Sequence, residues 1–292
     1  MNTGDFKDYL RYRRKAPKTV DRYFKTILQI KSDVERSAVE FNEMSYSDVI
    51  DYLQSRRTKK VKASTLAKEL LVLNHYFEFL IGEEVRYDNP VTGIKIQGAN
   101  EQRIQKALTP QELESIYKDF PEKTEAYKRN KVMLSFMVYQ GLRTVEIEQL
   151  LFSDVDLDEC TIFVRSLTKS NWRKIPLQTK QLLPLLNYIE NIRPKMLMDS
   201  GLTTNHLFFS TGQSDGLKNL FRKLSAQVRK LNEKFESWNQ LRASVITDKL
   251  SSKNARQVQH YFGMKKLKTA EKYQSGSVDD LRSELDRCFE LF

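Results

Sequence analysis

Histidine, cysteine and long apolar runs are scarce in this chain of 292 residues. It carries three histidines and two cysteines. Cys160 and Cys288 lie far apart and match no metal-ligand spacing, which fits a reduced, cytosolic compartment. His75 and His206 stand in isolation, so packing is the default role for both. No apolar run approaches the roughly 18 residues of a membrane-spanning helix. The opening MNTGDFKDYLRYRRKA lacks the apolar core and small-residue cleavage site of a secretory signal. There is no P-loop, internal repeat or low-complexity tract, and no carboxylate pattern of a two-metal nuclease. Asp154, Asp156 and Asp158 alternate, but the Gly and terminal Glu of a calcium loop are missing, so a solvated turn before a strand is expected. No metal site and no cofactor is expected, and no membrane partner.

Charge is abundant and one-sided. Forty-nine Lys and Arg against 38 Asp and Glu leave a formal net charge of +11. Such an excess favours a polyanionic partner, nucleic acid or an anionic surface, and is silent on sequence specificity.

The length suits two domains, and the patterning predicts a mainly α protein: an N-terminal helical bundle, then a mostly helical domain with a small β-hairpin or sheet. In residues 1–95, Phe6, Tyr9 and Leu10 form one apolar stripe, and Val20, Tyr23, Phe24, Ile27, Leu28 and Ile30 a second. Thr19 lies in the first turn of that second helix. Ser45 or Ser47 caps a third helix. A fourth runs through Leu66, Leu70, Leu73, Tyr76, Phe77 and Leu80 to a stop at Gly82, and Asn89-Pro90 breaks the chain. A basic connector, Arg56, Arg57, Lys59, Lys60 and Lys62, reads equally as a solvated loop or a nucleic-acid face. Residues 96–108 are polar and read as a linker. From 109 to 292, Thr109-Pro110-Gln111-Glu112 opens a helix, and an apolar helix ends at Gly141. Ile162, Phe163 and Val164, then Ile175 and Leu177, predict strands around a turn at Ser170-Asn171. His206 to Phe209 predicts a short strand. Val278, Leu281, Leu285, Cys288, Phe289 and Phe292 make one apolar face of a terminal helix that must bury somewhere.

Four segments carry chemistry: GLRTVEIEQL from Gly141, LTKSNWRKIPL from Leu167, NQLRASVITDKL from Asn239 and FGMKKLKTAEKY from Phe262. Two arginines, a lysine and a phenol are what metal-free attack on a phosphodiester needs. Guanidiniums clamp the phosphate and neutralise the charge growing on its oxygens; a tyrosine oxygen attacks phosphorus and holds the broken strand covalently. Arg143 follows a helix-ending glycine, with Glu146 three residues on to hold its guanidinium. Arg242 heads an apolar helix, where a charge needs a partner: a phosphate or a structural carboxylate. A free phenol is about one part in a thousand ionised at neutral pH, and Lys265, Lys266, Lys268 and Lys272 raise the potential that favours phenolate at Tyr273. Tyr261, its main rival, reads as core.

In order and spacing these segments resemble the catalytic domain of the tyrosine recombinases, the phage-type integrase family, and residues 3–95 resemble its core-binding domain. The resemblance implies that Arg143 and Arg242 bind the scissile phosphate, Glu146 supports Arg143, Lys169 protonates the leaving 5′ oxygen and Tyr273 is the nucleophile. It implies double-stranded DNA as partner, contacted by the basic connector and Arg173, with no cofactor. A tetramer on two DNA sites, a tail docked on a neighbour or on its own chain, and a cytoplasmic, nucleoid-associated life follow with it. The sequence departs from the family twice: Asn239 and Met264 stand where histidine, or histidine or tryptophan, is usual. Asparagine donates a hydrogen bond but moves no proton, and methionine donates nothing. General acid–base help is worth ~10² to 10⁴ in rate, so slow catalysis is expected. If one helix runs from His260 to Met264, the imidazole of His260 enters the same cleft as a substitute. Two alternatives stay open: a DNA-binding relative with weak or lost catalysis, and a type IB topoisomerase-like enzyme.

Overall fold

The computed structural model describes residues 3–98, 107–168, 170–212 and 216–273. The chain divides into two compact units, Met1–Arg103 and Ile104–Phe292, each with its own apolar core.

Among its described residues the first unit holds four α-helices, α1 (Thr3–Tyr12), α2 (Pro17–Glu35), α3 (Tyr46–Thr58) and α4 (Ala63–Gly82), with a 3₁₀ turn at Phe41–Glu43. Phe6, Leu10, Val20, Ile27, Ile30 and the α4 stripe are buried together, whereas Leu28 is exposed. Ser45 starts α3 through a reciprocal cap with Asp48. Gly82 is the last residue of α4, and the left-handed turn beyond it is made by Glu84 (φ 56°). The basic connector is partly helix. Arg56 and Arg57 close α3, and Arg56 turns inward to Glu69, donating from Nη2 at 2.5 Å and Nε at 3.2 Å. Arg57, Lys59, Lys60 and Lys62 are exposed.

The second unit runs α5 (Pro110–Lys118), α6 (Glu125–Gln140), α7 (Thr144–Glu148), β1 (Val155–Asp156), β2 (Thr161–Val164), β3 (Arg173–Pro176), α8 (Thr179–Asn187), α9 (Arg193–Ser200), α10 (Lys218–Leu231), α11 (Trp238–Ser252) and α12 (Ala255–Tyr261), with residues 267–273 helical again. A π segment, Tyr188–Ile192, joins α8 to α9. Thr109 and Glu112 cap α5 reciprocally. The strands form an antiparallel sheet in the order β1-β2-β3, pairing Ile162 with Ile175 and Val164 with Arg173. Pleat alternation turns those four inward and leaves Phe163 and Lys174 outside. Mainly α with one small sheet is thus the architecture.

Two local expectations need correction. His206–Phe209 is no strand: a single bridge, Leu151 to His206, ties it to the chain after α7. Asp154 is buried, accepting from the Leu151 amide and pairing with Arg165, so the Asp154–Asp158 turn is solvated only at its far end. Among the described residues no helix is long and apolar enough to cross a membrane.

Candidate active site

Gly141 ends α6 at φ 59°, and a Cβ there would lie 2.8 Å from the Phe262 ring. This close approach brings the Arg143 turn against the loop after α12. Arg143 then starts α7 half-buried, its amide donating to Glu146 Oε2 at 2.9 Å. Among the described residues its guanidinium has no ion-pair partner. The expected Glu146–Arg143 side-chain pair does not form, because the carboxylate is spent elsewhere.

Glu146 is 1% exposed and takes a two-pronged pair from Arg173: Nη1 to Oε1 and Nη2 to Oε2, both 3.0 Å. Arg242 Nη1 stands 3.5 Å from Oε2. Burial pushes the Glu146 carboxyl up, but the Arg173 hydrogen bonds, the charges of Arg173 and Arg242 and the Arg143 amide outweigh it and hold it below the ordinary range. Arg173, itself 1% exposed, is therefore no contact for a DNA backbone. The signal lay in the strand period: Arg173 alternates with Ile175 and Leu177, so all three face inward.

Arg242 lies in the second turn of α11, also buried. Its guanidinium donates to Gly141 O at 2.5 Å and Phe262 O at 3.1 Å and rests on the Phe262 ring. Burial pulls its pKa down to about 10, with Glu146 opposing, Arg143 and Arg173 adding and Tyr273 opposing. It stays charged at neutral pH. Tyr273, half-buried on the 267–273 helix, packs against the same core within electrostatic reach of Arg242. Its rival Tyr261 is pushed up to about 12 by burial, Arg173 opposing, which disfavours the nucleophilic phenolate.

The loop after α12 organises the rest. Gly263 donates to His260 O at 3.0 Å and Met264 to Gln259 O at 2.8 Å, the paired bonds of a left-handed helix stop with Gly263 at φ 61°. The helix does not run through. His260 and Met264 part company: His260 is exposed beside Lys253 and Arg256, and the Met264 side chain is buried in the core. The imidazole substitution expected from helical continuity fails on that ground. Across the loop, Asn171 donates to Gly263 O at 2.8 Å, and Ser170 bridges Met264. Leu167 and Ser170 exchange backbone hydrogen bonds of 3.0 and 3.1 Å, and Lys169 between them lies outside the described residues. The tail beyond Tyr273, with Val278 to Phe292, lies outside them too. Asn239 is exposed on the first turn of α11, three residues before Arg242. The structure thus gathers Arg143, Glu146, Arg173, Arg242 and Tyr273, leaves Asn239 at the surface and takes Met264 into the core. Among the described residues no cluster of His, Cys, Asp or Glu is placed to hold a metal ion.

The model of the phage integrase family matches residues 106–278, and that of the phage integrase N-terminal SAM-like domain matches 4–84. Tyrosine recombinase XerC of Anoxybacillus flavithermus is 27% identical over 61% of this chain and 59% of its own length. The chain thus spans under two thirds of that relative, though XerC of Listeria welshimeri, 25% identical, is matched over 94% of its length and 95% of this chain. Among solved structures, the XerH site-specific recombinase bound to a palindromic difH substrate aligns at TM-score 0.72, with 17% identity over 97% of this chain and 84% of that one. The Tn1549 transposon integrase in complex with circular intermediate DNA aligns at 0.69, with 17% identity over 94% and 95%. At such identities the likeness is one of fold. With its model matched over more than half the chain, across both arginines and the tyrosine, the chain belongs to the phage integrase family.

Proposed function

We propose that this chain cuts and rejoins duplex DNA through a 3′-phosphotyrosyl intermediate, as a site-specific recombinase or integrase. The observation that carries the reading is Arg242: charged, buried, fixed by two carbonyls and a carboxylate, and within electrostatic reach of the Tyr273 phenol. The Arg143 guanidinium, without an ion-pair partner among the described residues, is the second half of a phosphate clamp. Tyr273 Oη bonds to phosphorus as the bond to the 5′ oxygen breaks; the phenol proton passes to water, and the 5′ oxygen leaves as a hydroxyl, taking its proton from Lys169. The reverse attack by a 5′ hydroxyl reseals the strand. The phosphotyrosyl bond conserves the energy of the broken linkage, so no nucleotide is spent. Asn239 hydrogen-bonds a phosphate oxygen from the exposed turn above Arg242. DNA also rides on Arg57, Lys59, Lys60 and Lys62 of an N-terminal core-binding unit. Exchange takes four protomers on two sites, in the cytoplasm at the nucleoid, for integration or excision of a mobile element or resolution of dimers.

A second reading, a DNA binder with lost catalysis, is favoured by asparagine at 239 and by the burial of Met264. A suicide substrate, nicked so that the leaving fragment escapes, separates the two. A covalent protein–DNA adduct that vanishes in Tyr273→Phe, with binding intact, supports the enzyme. Binding without any adduct supports the second reading.

A further inference from the structure

Arg173 is the largest fully buried side chain among the described residues, at 1% exposure, and it reaches the candidate centre from the core side. Its fork grips both oxygens of Glu146 at 3.0 Å. Those same oxygens receive the Arg143 amide at 2.9 Å and face Arg242 at 3.5 Å. One carboxylate thus fixes the backbone from which one phosphate-clamping arginine projects and neutralises the other. Gly263 completes the arrangement, since a Cβ there would stand 2.8 Å from Arg173 Nη1 and 2.6 Å from Asn171 O. Only a residue without a side chain leaves room for the fork.

We infer that Arg173 is a positioning residue for cleavage, acting through Glu146 to hold the Arg143 turn and the Arg242 guanidinium in register for the phosphate. The inference rests on the recombinase reading above. A lysine keeps the charge but offers no planar fork, so the geometry predicts partial function from Arg173→Lys and little from Arg173→Met. Arg173 reaches no phosphate, so DNA affinity is expected to stay within about threefold of wild type in both.

The test uses the full chain as wild type, Arg173→Lys and Arg173→Met, each checked for melting temperature. Single-turnover adduct formation is followed on suicide substrates bearing either a phosphate or an uncharged methylphosphonate at the cut position. On the phosphate the Met variant is expected to lose about 10²-fold or more in rate, the scale of one lost charge-stabilising donor, and the Lys variant less. On the methylphosphonate, which carries no anionic charge to clamp, the deficit is expected to shrink below about tenfold. Wild-type rates in a folded Arg173→Met variant, or equal deficits on both substrates, overturn the inference in favour of a purely structural role. Should Arg173→Met fail to fold, Arg173→Lys, which keeps the buried charge, carries the same comparison on the two substrates. If wild type itself forms no adduct, the recombinase reading fails by itself. Guanidinium NMR of ¹⁵N-arginine-labelled protein then decides the positioning: slow, resolved Arg242 Nη signals that broaden in Arg173→Lys support it, and unchanged signals overturn it.

Discussion

Asn239 and Arg242 share one face of α11, three residues apart, yet one is exposed and the other buried. The resemblance to the integrase family pointed to both positions, and the apolar run after Arg242 showed its need for a partner, but not which carboxylate would answer. Glu146 was legible as holding the Arg143 guanidinium; it holds the Arg143 backbone amide, while its two oxygens are taken by the fork of Arg173 and face Arg242. Two predictions follow at this scale. Asn239→His restores a proton-moving group at a solvent-facing turn, so adduct formation should accelerate at least about tenfold, within the ~10² to 10⁴ range of acid–base help. Its rate should fall with a limb near pH 6.5, the free imidazole value, where wild type has none; equal rates and profiles sink this. Glu146→Gln should destabilise by about 3 kcal/mol, since it leaves two buried guanidiniums short of an anion. The folded carboxyl lies below its unfolded value, so its stabilisation is complete above about pH 4.3 and is lost as pH falls through the lower folded value. The variant should therefore show a shallower acid limb in urea midpoints measured from pH 2 to 6.

At the scale of elements, caps and apolar periods were the most readable features. Ser45, Thr109 and Gly141 stop or start helices where side-chain chemistry and handedness require it. Long-range pairings were not readable: the 206–209 segment finds a single bridge, and a β-rich composition cannot say that only one partner is near. The break after α12 was legible in principle, since Gly263 follows Tyr261-Phe262 as a helix-stopping glycine would, but its partner, the Asn171 segment, is 92 residues away in sequence (263 − 171). Gly263→Ala tests that junction. It forces a side chain into φ 61° and against Asn171 O, a strain of about 1–3 kcal/mol. Urea unfolding should register that loss, and amide exchange at Asn171 should quicken well beyond the global effect. An Asn171 amide as protected as in wild type would mean that the hairpin is held by other contacts.

For the whole molecule, the formal charge of +11 told of a polyanionic partner but not which cations are free to meet it. Arg129, Arg173, Arg193 and Arg242 are buried, and Arg56 is turned to Glu69, so the connector's usable charge is smaller than its composition suggests. Arg57, Lys59, Lys60 and Lys62 remain exposed, on a connector that begins as helix and turns sharply at Lys60, φ 57°. Counterion release makes the distinction measurable, because each phosphate neutralised contributes about 0.9 to the slope of log affinity against log salt. Lys59, Lys60 and Lys62 changed together to Ala should weaken binding to any duplex and lower that slope by up to about 2.7, three such contributions. Arg56→Ala should do the reverse: a near-native salt slope with a stability loss of about 3 kcal/mol, because Glu69, also hydrogen-bonded by Tyr52, keeps a buried charge without its cation. Anisotropy titrations of a labelled duplex between 50 and 300 mM salt, beside urea unfolding of the same variants, separate the two. A salt slope that falls in Arg56→Ala but not in the triple variant would place the DNA on the inner face of α3, and would remove the connector from the binding surface altogether.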